Sequence, residues 1–136
     1  MTMTATSGDA TTTSDTVDLR VPADPAYLAV LRTATAGLAA RLDLTLDEIE
    51  DLRIAVDEAC SIVLAGRAHP GRKLGASFTV GDGVLDVVVT GPAEVPPAES
   101  SFAWSVLRAL VGEVQTGAGP SGSWIRLIHA GGRETQ

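Results

Sequence analysis

The segment TLDEIEDLRIAVDEACSIVL, Thr45 to Leu64, decides how this chain folds. Thr45 and Glu48 form a T-x-x-E capping box, which predicts a helix beginning at Leu46. Ile49, Leu52, Val56, Ala59, Cys60 and Val63 then recur at spacings of three and four, one helical face turned to a core. Ile54, Glu58 and Ile62 stack four residues apart in a second row on the other side. That row has two readings. Either Glu58 faces a semi-apolar pocket or a partner, or it is an exposed carboxylate between two incidental isoleucines.

The totals bound what can surround this helix. A chain of 136 residues, 45 % of them hydrophobic, with a mean hydropathy of +0.21, has the size and composition of one two-layer globular domain. Its apolar runs are only a few residues long, so no membrane span is expected. The N-terminus has no basic start followed by an apolar run, so no signal peptide is expected either. One cysteine cannot form an internal disulfide, which fits a cytoplasmic protein. The net charge of −7 opposes binding to phosphate backbones. Any role in transcription should therefore run through a protein partner and not through nucleic acid.

Outward from the helix, the sequence divides into a polar tail (1–16), a domain (17–130) and a second tail (131–136). Val17–Val21 alternates as a half-buried edge strand does. Asp24 followed by Pro25 reads as a cap and first helical position, and Leu28, Leu31, Thr35, Leu38 and Leu42 continue a first helix to about Leu42. Arg32 lies at the margin of that stripe, free to reach outward. Past Leu64, Gly66, Pro70, Gly71 and Gly75 with the basic residues Arg67, Arg72 and Lys73 read as a loop. Ala76–Val80 and Val84–Thr90 read as strands joined by a Gly81-Asp82-Gly83 hairpin turn. The unbroken Val87-Val88-Val89 predicts a central strand covered on both faces.

Three prolines in GPAEVPPAES predict an irregular crossing. Phe102, Val106, Leu110 and Val114 predict a third helix, widened by Leu107 and Val111, with Trp104 off the row. Gly117, Gly119, Pro120 and Gly122 read as a turn, and Ser123–Ala130 as a last strand with Ile125 and Leu127 on one face. The expected fold is α/β: a two-layer sandwich with about three helices on one face of a mixed sheet of about four strands.

Little chemistry is legible. Cys60, His69 and His129 lack metal-ligand spacing, so no metal site is expected, and the histidines read as surface or edge residues. Cys60 falls in the core row, where a thiol is no nucleophile. Neither a P-loop nor a G-x-G-x-x-G run is present. Glu58 alone stands out, as a candidate general base or as a simple hydrogen-bond acceptor.

LRIAVDEACS nevertheless resembles the motif helix of GHKL-type (Bergerat) ATPases, in the branch of bacterial anti-sigma factors called RsbW and SpoIIAB and nearest to the actinobacterial UsfX-like proteins. The opening LRVPADPAYLAVLR, the hairpin, the helix SFAWSVLRALVGEVQT and the closing SGSWIRLIHA follow the family's order over Val17–Ala130. The family helix carries E-x-x-x-N, its Glu catalytic and its Asn holding the Mg²⁺ of ATP. Glu58 stands at the Glu position, but Ile62 stands at the Asn position and cannot coordinate a cation. Where active members carry D-x-G-x-G to read adenine, this chain has Thr90-Gly91-Pro92-Ala93-Glu94. Where they carry a glycine-rich phosphate lid, it has Glu99-Ser100-Ser101-Phe102-Ala103-Trp104.

The resemblance implies an anti-sigma factor that sequesters an alternative sigma factor of the SigF or SigB type. It further implies a homodimer released by a STAS-domain antagonist. Alignment through the first helix puts Arg32 at the family's sigma-contacting arginine, a residue whose planar fork suits a carboxylate. The alternative is the family's ATP- and Mg²⁺-dependent serine kinase acting on the STAS antagonist, against which the three altered motifs count.

Overall fold

The computed structural model describes residues 14–94, 98 and 100–130. Its elements are β1 (Asp15–Pro22), a 3₁₀ turn (Pro25–Tyr27), α1 (Leu28–Ala39), α2 (Leu46–Val63), β2 (Lys73–Gly81), β3 (Val84–Gly91), α3 (Phe102–Val111), β4 (Glu113–Gly119) and β5 (Gly122–Ala130). The strands form one five-stranded sheet in the order β1-β2-β3-β5-β4. The two-layer α/β architecture is as expected. Two details are corrected: the sheet has five strands, and every neighbouring pair is antiparallel, so it is not mixed.

The core lies between the helices and one sheet face. Leu52, Val56, Ala59, Cys60 and Val63 of α2 are completely buried, opposite Phe78, Leu85, Val87, Ile125 and Leu127 of the sheet. Burying each of the larger aliphatic side chains contributes about 1.5–3 kcal/mol. α2 is the middle helix: it packs on β3 and β5 below, and on α1 and α3 at its sides.

β3 is central, as its valines suggested, but only one of its faces is sealed. Leu85, Val87 and Val89 are buried, whereas Asp86, Val88 and Thr90 are half-buried, because the helices form a single layer. The hairpin to β3 turns at Asp82 (φ 53°) and Gly83 (φ 74°), the paired left-handed residues that a two-residue I′ turn requires.

Four local expectations change. Asp24 does cap, accepting from the Ala26 amide at 2.9 Å, but it caps the 3₁₀ turn ahead of α1. α1 ends at Ala39, short of Leu42. In α3 the buried row is Trp104, Leu107 and Val111, while Phe102 is 84 % exposed. Val114 and the glycines after it belong to β4, not to a helix and turn. The expected tails 1–16 and 131–136 lie outside the described residues except for 14–16, where Asp15 and Thr16 already pair with β2. Residues 95–97 and 99 of the proline-rich crossing also lie outside them.

Candidate functional site

The start of α2 is fixed by the capping box read from sequence. The Thr45 hydroxyl accepts from the Glu48 amide at 3.1 Å, and the Thr45 amide donates to Glu48 Oε1 at 2.8 Å. This backbone hydrogen bond, with the His129 ring nearby, holds the Glu48 carboxyl below the usual carboxylate range. Its other oxygen sits 3.7 Å from His129 Nε2, within ion-pair reach but too long for a hydrogen bond. His129 is therefore not a surface residue. Its side chain is 13 % exposed, and its Nε2 has no hydrogen-bond partner among the described residues.

The two flanks of α2 carry the residues singled out above, and they differ. On the α1 flank, the Arg32 guanidinium donates to Asp57 Oδ1 at 2.6 Å, both side chains being about one-third exposed at 38 % and 37 %. Arg32 is thus not free to reach outward: it is tethered to α2, with part of its fork still open to solvent. One residue on, and so about 100° further round the helix, Glu58 occupies the other flank. It is half-buried, between Ile54 at 44 % exposure and Ile62, which packs against the core. None of the ion pairs among the described residues involves Glu58. Cys60 lies inside, its thiol pushed up to about 12 by burial and, secondarily, by the Asp57 charge.

The order of strands and helices, with a single buried motif helix across an antiparallel sheet, agrees with a comparison of families: residues 21–129 match the histidine kinase-like ATPase domain. The chain belongs to that family. Among relatives, it is 32 % identical over 100 residues to the serine-protein kinase RsbW of Halalkalibacterium halodurans, covering 74 % of this chain and 58 % of that protein. It is 37 % identical over 78 residues to the serine-protein kinase RsbW of Bacillus subtilis, 56 % of this chain and 49 % of that one. To the anti-sigma-F factor RsbW of Mycobacterium tuberculosis it is 38 % identical over 104 residues, 74 % of this chain and 60 % of the relative. The chain thus spans about half to three-fifths of the length of these RsbW relatives.

As a histidine kinase-like ATPase domain, the chain can be tested for fit to Mg-ATP at the three motif positions. Ile62 presents an aliphatic side chain, packed on the core, where an oxygen ligand would be needed. The segment after β3 is folded down onto the end of α2. The Ala93 amide donates to the Val63 carbonyl at 2.9 Å, and the Ser123 amide donates to Ala93 at 2.8 Å. Gly91 lies so close that a Cβ there would meet the Val63 carbonyl oxygen at 2.6 Å, and Pro92 is buried. Ser101, in the lid position, caps α3 by accepting from the Trp104 amide at 3.1 Å. No three of His, Cys, Asp and Glu are grouped to hold a metal among the described residues. These residues do not fit Mg-ATP held in the family manner.

Sequence reasoning missed two partners. Asp57 stands i+4 from Arg53 and shows no signal of pairing with another helix. The Glu48–His129 approach joins positions far apart in the chain, which meet because α2 packs on β5.

Proposed function

We propose that this domain is an anti-sigma factor, acting in the cytoplasm by binding an alternative sigma factor of the SigF or SigB type and holding it from polymerase. One observation carries the reading: an intact family frame in which the cation-ligand position, Ile62, is aliphatic, leaving binding without catalysis. The M. tuberculosis relative's name, an anti-sigma-F factor, supports the partner class. Arg32 is the proposed sigma contact, because its Asp57 tether presents a partly open guanidinium at the α1–α2 seam. Release by a STAS-domain antagonist and action as a homodimer complete the proposal. The dimer draws support from the sheet face turned away from the helices, where Val88 and Trp124 are only half-buried. Among the described residues no layer covers that face. No helix is long and apolar enough to cross a membrane.

The competing activity is a serine kinase acting on the antagonist; the Bacillus relative's name, serine-protein kinase, supports the kinase class alone. A pull-down from host lysate, with and without Mg-ATP and read by mass spectrometry, separates the two. Equal recovery of one sigma factor in both conditions is the expected result. A STAS protein retained or phosphorylated only with Mg-ATP would establish the kinase instead.

A further inference from the structure

The loop between α2 and β2 is chemically unlike the rest of the molecule. From Ala59 to Gly81 there is no Asp or Glu, in a chain with 17 acidic residues against 10 Lys and Arg. Within that stretch Arg67, Arg72 and Lys73 are all exposed. None of them pairs with a carboxylate among the described residues, and neither do Arg20, Arg41 and Arg108, which lie apart from one another in sequence; the loop gathers three such cations within seven residues. Arg67 and Arg72 line an open groove of about 550 Å³, which Pro92 and Ala93 border on the other side.

Backbone hydrogen bonds hold both walls of the groove. The His69 amide donates to the Ala23 carbonyl at 2.8 Å, the Ala23 amide to Arg72 at 2.9 Å, and the Arg72 amide to His69 at 3.0 Å. The far wall is held by the Ala93–Val63 and Ser123–Ala93 bonds already described. Cations are favoured beside a helix C-terminus, but here that need is met by another group. The His69 Nε2–H donates to the Leu64 carbonyl at 2.6 Å, capping α2 and leaving both guanidiniums over.

We infer that this groove is a docking site for an acidic segment of a protein partner, its side-chain carboxylates taken by Arg67 and Arg72. The backbone counts against a dedicated phosphate cradle. Phosphate cradles are built from backbone amides aimed at the ligand. Here the amides of Ala65, Gly66, Arg67, His69, Arg72 and Ala93 all donate to carbonyls of the protein. What remains is a pair of planar forks that match carboxylates two bonds at a time. A nucleic acid would extend past the loop onto the rest of a chain whose net charge is −7, whereas a short acidic segment can end within the groove, even with Glu94 at its rim. The site is independent of the sigma-factor reading, and its test needs no sigma factor.

The probe is a fluorescein-labelled peptide of ten alternating Glu and Asp residues, titrated with the full chain at low and at physiological salt and read by anisotropy. The double variant Arg67→Glu/Arg72→Glu is expected to weaken binding at least tenfold. Arg20→Glu/Arg108→Glu, which changes net charge equally at exposed sites elsewhere, should weaken it no more than twofold. Arg67→Lys/Arg72→Lys, which keeps the charge and removes the forks, should lie between them. Thermal melting checks that each variant is folded. Equal loss in both Glu variants, or no binding by the wild type, overturns the proposal. So does displacement of the peptide by pyrophosphate at lower concentration than by a second, unlabelled copy of the peptide, or tighter binding of a single-stranded oligonucleotide of the same length.

Discussion

The two flanks of α2 rise from the same buried stripe, yet they have different chemistry. Toward α1, a carboxylate and a guanidinium from different helices meet at 2.6 Å and stay partly solvated. Toward the motif side, a single carboxylate, Glu58, lies between two isoleucines. A catalytic flank needs several groups converging on one ligand, whereas a binding flank needs only a surface that is presented firmly. The difference teaches that a family frame can persist while the residues at its ligand positions change.

The largest effect should come from the stripe common to both flanks. Leu52→Ala removes a completely buried side chain beneath α2, and should cost about 2–5 kcal/mol in urea unfolding. A loss below 1 kcal/mol would show that the buried stripe of α2 does not anchor the core.

Arg32→Glu tests the polar flank. Sigma-factor affinity should fall at least tenfold while the melting temperature changes little, since a half-exposed ion pair contributes only about 0.2–1 kcal/mol. Swapping the charges, Arg32→Glu with Asp57→Arg, should recover that stability without recovering affinity. Unchanged affinity in the folded single variant would remove Arg32 from the interface.

The N-terminal cap gives a smaller effect that depends on pH. Glu48 is held below its usual value of 4.5 in the folded protein, so its contribution is present above that pH and disappears as pH falls through the lower folded value. Thr45→Ala should cost about 0.5–2 kcal/mol at neutral pH. Glu48→Ala should flatten the acid limb of the stability curve below pH 4.5, and an unchanged limb would count against the cap.

The smallest expected effect is on the motif flank. Ile62→Asn restores one ligand position of several, and calorimetry should detect no Mg-ATP binding at micromolar concentration. Micromolar binding would show that the flank had lost only a single contact.

The fold was legible wherever a local signal and a tertiary one agreed. The cap at Thr45, the α2 stripe, the Asp82-Gly83 turn and the alternation of β5 all lie where the residues put them. α3 was harder because its apolar residues surround most of the helix. Phe102-Val106-Leu110 and Trp104-Leu107-Val111 are both plausible rows, and only the docking of α3 against α2 selects the second. β4 was hidden by its composition: Val114 is its only buried residue, and its glycines read as a turn. What supports a strand there is the neighbour, since Trp124 lies across Gly117 so closely that a Cβ would meet the ring at 2.5 Å. Of the site, Glu58 and Arg32 could be placed on their helices from periodicity. The tether of Arg32 to Asp57, 25 residues away in sequence, could not.

The two tryptophans supply an optical consequence of this layout. Trp104 is 5 % exposed within the helical layer, whereas Trp124 lies half-buried on the uncovered sheet face. The first should emit at short wavelength and resist acrylamide, the second should emit to the red and be quenched. Trp104→Phe and Trp124→Phe would thus divide the emission into an interior channel and a surface one, so that burial of the sheet face by a second copy could be followed by colour alone, without a label.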